Sequence, residues 1–146
     1  AIANAQATLD GIKKSANGPN ILLLEWIDPA YSPGHWVPEQ IQAAGCLSSI
    51  GRPGDHSRAL PWDEIEAARP DAIGVISCGY GLDKNIDFAN VVRDIPEVKS
   101  WFKGPIVAFD ANKFFSRPTL AIVEGAQRIH EAFVLAETTG DGFERV

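Results

Sequence analysis

Three short stretches of this chain carry groups able to do chemistry. They are Glu25 to Trp36 ("EWIDPAYSPGHW"), Cys78 to Asn85 ("CGYGLDKN") and Asp110 to Pro118 ("DANKFFSRP"). Together they hold Trp26, Tyr31, Trp36, Tyr80, Phe114 and Phe115, with His35, Arg117, Glu25, Asp28 and Asp110 among them. Surface loops are ordinarily made of small polar residues. Large rings crowded onto them point to something outside the chain that they cover, through flat apolar contact with a few polar groups to fix orientation.

Catalytic readings of the same residues are weaker. A nucleophilic triad needs an activated Ser or Cys with a His and an acid in reach, and Ser77, Cys78, His35 and Asp110 supply the types. "SCGYG" is not the G-x-S-x-G elbow, however, and Cys78 at a strand end also reads as a small buried packing residue. His35, His56 and His130 lie on separate segments with no pair at ligand spacing, so no metal site is expected. His130, in the last helix, reads as a surface or edge residue. Gly79 and Gly81 form a G-x-G without the third glycine of a dinucleotide fingerprint, and a tight turn with positive φ accounts for them. Glu25, Asp28 and Asp110 could pair for acid–base work or simply brace their loops. Arg117 could grip an anionic group in bidentate fashion or tie Asp110 to its own loop. Asp63 and Glu64 begin a helix, where the macrodipole favours acids, and equally offer a docking handle to a basic partner.

The elements that position these groups are legible from pattern. Ile2, Ala5, Leu9 and Ile12 recur at helical spacing and "NGPN" ends that helix. The unbroken apolar runs Ile21 to Leu24, Ala72 to Ser77 and Ile106 to Phe109 read as strands buried on both faces. Between them, Pro38 to Ala44, Trp62 to Arg69 and Ile86 to Asp94 read as helices, and Pro96 to Phe102 as a turn. Ile50 to Arg58 and "ANKFFSRP" read as loops. Pro118 opens the longest helix, with Leu120, Val123, Ala126, Ile129 and Phe133 on one stripe. The tail "ETTGDGFERV" reads as a frayed end. Strands alternating with helices predict a three-layer α/β sandwich, its central sheet mainly parallel and covered by helices on both faces. In such a sheet the loops leaving the carboxyl ends of the strands gather on one edge, where open α/β folds bind ligands. All three aromatic stretches are of that kind. The loops of the other edge, Asn17 to Asn20, Arg69 to Asp71 and Lys103 to Pro105, are plain Gly, Pro and charge.

Bulk properties narrow the classes. The chain has 146 residues, enough for one domain with a proper core. A formal charge of −6 argues against a nucleic-acid partner, and no apolar stretch approaches the length that spans a bilayer. Cys46 and Cys78 are too few for a disulfide framework and are expected to be two buried thiols. A chain with no Met is expected to be a processed product or an excised piece of a longer protein.

At the aromatic loops the sequence resembles a known family. "ILLLEWIDPAYSPGHWVPEQIQAAG", "RPDAIGVISCGYGL" and "VAFDANKFFSRP" are similar to the carboxyl-terminal lobe of cobalamin-type (class III) substrate-binding proteins of ABC importers, over about Asn20 to Phe133. That class also captures iron–siderophore and haem ligands. The resemblance implies one lobe of a two-lobed binding protein. Residues 1–18 would end the helix between the lobes, and 19–146 would be the carboxyl-terminal lobe. It implies no chemistry and no cofactor, with cobalamin or a related corrinoid or iron chelate held in the cleft. The protein would be periplasmic, or extracellular and membrane-anchored. By resemblance the ligand contacts are Trp26, Asp28, Tyr31, Trp36, Tyr80, Asp110, Phe114, Phe115 and Arg117. Asp63 and Glu64 would dock on the permease. Two other classes use the same loop edge: a hydrolase domain built on Ser77 or Cys78 with His35, and a non-transport sensor or interaction module.

Overall fold

The computed structural model describes residues 18–115 and 121–146. The first predicted helix, Arg117, Pro118 and Leu120 lie outside the described residues.

Strand β1 (Asn20–Leu24) alternates its side chains between two cores, as a pleated strand must. Ile21 and Leu23 enter one, Leu22 and Leu24 the other, and all four are fully buried. Strands β6 (Ala72–Val75) and β7 (Ile106–Phe109) do the same, which is why each reads as an unbroken apolar run. Registers Leu24↔Val75 and Val75↔Ala108 bring the three strands to a common end, all parallel. A short parallel strand, β4 (Leu47–Ser48), flanks β1.

Helices cover both faces, as expected for the α/β sandwich. One face packs under α1 (Val37–Ala43) and α6 (Ala121–Ile129). The other packs under α2 (Trp62–Ala68), α3 (Leu82–Asp94) and α4 (Pro96–Trp101). Helix α2 stops at Arg69, whose φ of 50° is left-handed, directly before Pro70. Helix α3 begins earlier than its apolar period suggests. Asn85 staples its start, donating from Nδ2 to the Gly81 and Tyr80 carbonyls and accepting the Ser77 N–H at 2.8 Å. The expected turn at Pro96 is a helix because proline is tolerated in a first turn. "ANKFFSRP", read as a loop, opens with the short helix α5 (Ala111–Phe114). Its cap is the Asp110 carboxylate, which accepts the Lys113 N–H at 3.1 Å.

Two further expectations fail. The tail is not frayed: β8 (Thr139–Gly140) and β9 (Phe143–Arg145) form a hairpin, and β9 pairs antiparallel with β7. Phe143 is fully buried, its ring 6.0 Å from that of Phe109. A Cβ on Gly142 would lie 2.3 Å from the Phe114 ring and one on Gly140 2.2 Å from that of Phe143. These glycines therefore let the turn close over two rings. His130 is not a surface residue either. Helix α6 runs into a wide turn, His130–Val134, that buries the imidazole with Nδ1 3.0 Å from the Ala44 carbonyl. Replacing Phe143 by Ala should lower stability to urea by about 3–5 kcal/mol; a loss under 1 kcal/mol would show that the hairpin does not belong to the core.

Candidate ligand-binding edge

Beyond Leu24 the chain enters a small antiparallel sheet rather than an open loop. Strands β2 (Trp26–Ile27) and β3 (Ala30–Tyr31) form a hairpin, and β5 (Ala59–Leu60) adds to β3. Trp26 stands directly opposite Tyr31, so pairing puts both rings on the edge. Trp26 stacks on Tyr80 from the second stretch, with centroids 5.9 Å apart and planes 22° from parallel. Phe88 of α3 meets both rings edge-on, at 5.4 and 5.1 Å. The Trp26 indole N–H donates to the Asp28 carbonyl at 3.0 Å, which holds the ring in place.

The third stretch closes the arrangement. The Trp36 indole N–H donates to the Phe115 carbonyl at 3.0 Å, and the Asn112 N–H donates to the Tyr80 carbonyl at 3.3 Å. Between these loops lies a cavity of about 250 Å³, lined by Trp36 and Phe115 together with Glu25, His35, Cys78 and Asn112. Gly34, also in its wall, must be glycine for space: a Cβ there would sit 2.4 Å from the Ser57 nitrogen. His35 carries a left-handed φ of 58°, braced by its N–H to the Asp55 carbonyl and by the Gly54 N–H to its own carbonyl.

Trp26, Tyr31, Trp36, Tyr80 and Phe115 thus come together from three strand ends. Asp28 is exposed on the hairpin. Asp110 is occupied as the α5 cap, and among the described residues no hydrogen bond joins it to Glu25 or Asp28. Phe114 is fully buried, with Lys113 and Arg128 over its ring, and lends its bulk to the packing beneath the edge. Phe88 could not have been picked out from sequence, because its position in α3 becomes an edge position only through its contact with Trp26. On α2, Asp63 is exposed, while Arg58 binds both oxygens of Glu64 and holds that carboxyl below the usual carboxylate range.

The polar group at the cavity is Glu25. Its Oε2 accepts the Gly34 N–H at 2.6 Å, and its Oε1 lies 3.9 Å from the Cys78 sulfur. Cys78 is therefore at the surface and not a buried packing thiol, whereas Cys46 is buried and pushed up to about 12. Although Cys78 is exposed, partial desolvation by its neighbours raises its thiol, assisted by Glu25, which is the reverse of nucleophile activation. Ser77 is fully buried with its hydroxyl unpartnered, and among the described residues no hydrogen bond joins Ser77 or Cys78 to His35. The hydrolase arrangement is not formed.

Burial pushes the Glu25 carboxyl up, opposed in turn by the Gly34 N–H, His35, the Cys78 thiol and Ser57. A raised carboxyl holds its proton better folded than unfolded. It favours the folded state at acidic pH and loses that advantage as pH rises through the raised value. Glu25→Gln keeps an acceptor for Gly34, so it should raise Tm at neutral pH, with the gain vanishing towards about pH 4. A gain constant across that range would exclude this role for burial.

No protein-family model and no curated protein sequence matches this chain. Solved structures do. An ABC transporter substrate-binding protein from Listeria monocytogenes superposes with a TM-score of 0.72 at 15% identity, over 90% of this chain and 54% of that one. The chain has the fold of one lobe of such a protein. The periplasmic vitamin B12-binding protein BtuF of Vibrio cholerae gives 0.66 at 12% identity, over 94% of this chain and 52% of its own. The periplasmic haem-binding protein HutB of Vibrio cholerae gives 0.61 at 19%, over 92% and 55%. The chain therefore spans about half the length of these structures. Among the described residues no helix is long and apolar enough to cross a membrane.

Proposed function

We propose that this chain is the carboxyl-terminal lobe of a substrate-binding protein of an ABC importer, working outside the cytoplasmic membrane. It captures cobalamin, or a related corrinoid or iron chelate, against a second lobe and delivers it to the permease. Residues 1–18 would end the helix joining the lobes. The observation that carries this reading is the aromatic edge itself: the Trp26–Tyr80 stack and the Trp36–Phe115 cavity wall, side by side on a lobe of this fold. A large, flat, partly apolar ligand needs such a surface held rigidly, and rings locked by hydrogen bonds lose little freedom on binding. Similarity to structures described as a vitamin B12-binding protein, a haem-binding protein and an Fe3+-hydroxamate transport system supports a macrocyclic or chelate ligand. Trp26, Asp28, Tyr31, Trp36, Tyr80, Asp110, Phe115 and Arg117 are the proposed contacts, with Phe114 supporting them from beneath.

In the intact two-lobed protein, Trp26→Ala and Trp36→Ala should each weaken cyanocobalamin binding by roughly ten- to a hundredfold. Calorimetry and tryptophan quenching read this directly. Absence of heat with cyanocobalamin, haemin and a ferric hydroxamate alike would overturn the transport reading.

Docking on the permease is proposed through Asp63, with Glu64 already engaged by Arg58. Asp63→Lys should leave cyanocobalamin binding unchanged and lower uptake into vesicles carrying the permease, because a rim charge mainly governs encounter. Unaltered uptake would remove Asp63 from the docking face.

A further inference from the structure

A second cavity, of about 390 Å³, lies at the pole opposite the aromatic edge. It opens where the end of α3, helix α4, the segment entering β7 and strand β9 converge. Val98 and Phe102 contribute apolar wall, and four cations line it: Arg93, Lys99, Lys103 and Arg145. Asp94 is the one acid among the lining side chains. Its carboxylate lies 3.9 Å from Arg93 Nε and 3.8 Å from Lys99 Nζ, so two cations share it. Among the described residues the Lys103 ammonium meets only the Lys99 carbonyl, at 3.4 Å. The Arg145 guanidinium has no ion-pair partner among the described residues.

Helix ends account for part of this. Arg93 and Lys99 stand in last turns, where the macrodipole favours cations. Lys103 and Arg145 stand on no helix, so the dipole does not explain them. The chain carries 19 acids against 13 Lys and Arg, yet leaves two of these cations uncompensated beside two others. Like charges gathered at one opening repel. A multiply charged anion would relieve that repulsion.

We propose that this cavity binds a small polyanion carrying two or more phosphate groups. The forked guanidiniums of Arg93 and Arg145 would hold phosphate oxygens in bidentate fashion, and Lys99 and Lys103 would act as point charges. The site is independent of the aromatic edge and of what that edge captures.

Inorganic tripolyphosphate is the probe, titrated into the full chain at low salt. It should raise Tm saturably by several degrees, as any ligand selective for the folded state does. Amide shifts should concentrate at Lys99, Lys103 and Arg145. The double variant Lys103→Glu with Arg145→Glu changes two exposed side chains and should bind about tenfold more weakly or worse. Arg52→Glu with Lys84→Glu alters net charge equally at distant exposed positions and should bind as the parent does. Equal losses in the two double variants would reduce the effect to net charge and overturn the proposal. So would a Tm that does not respond saturably, or amide shifts spread over the whole surface.

Discussion

The parallel pairing of β1, β6 and β7 is the constraint on which the rest of the molecule depends. Each strand is buried on both faces, so each has lost any choice of register: a slip of one residue would exchange the contents of two packed cores at once. The registers Leu24↔Val75 and Val75↔Ala108 also bring the three strands to a common end. Three loops far apart in sequence are thereby delivered to one edge. Hydrogen bonds between those loops, from Trp36 to Phe115 and from Asn112 to Tyr80, then convert proximity into a defined surface.

That surface mixes rigidity with one adjustable charge. Its rings are pinned by indole N–H bonds and mutual stacking, which suits recognition of a flat ligand at small entropic cost. Glu25 differs from them. It is half buried, held by a single backbone N–H and set beside the Cys78 thiol. Its protonation state depends on how dry the cavity is. Among the described residues of the edge, no hydrogen bond pairs Ser77 or Cys78 with His35.

The two poles of the lobe are electrically unlike each other. At the aromatic edge Glu25 and Asp110 are held in hydrogen bonds. The opposite pole gathers cations around an opening. A chain of formal charge −6 does not produce this by average composition. Topology does, by bringing the ends of α3 and α4 beside β9, a strand that enters the sheet antiparallel.

By itself the sequence determined the three parallel strands β1, β6 and β7, most helices and the side on which the aromatic residues would collect. Those features follow from local pattern: an apolar run with no period, a helical stripe, and the rule that parallel strands send their exits to one edge. It missed what depends on distant partners. "ETTGDGFERV" contains too little apolar sequence to signal a strand, and becomes one because Phe143 finds a site against Phe109 while β7 leaves a sheet edge to pair. His130 looked polar and exposed until the wide final turn aimed it at the Ala44 carbonyl. Phe114 and Phe115 are neighbours of the same type, and only the packing decided that one lies in the core while the other also lines the cavity. Burial, pairing and charge compensation are relations between residues far apart in the chain, and tertiary structure alone decides them.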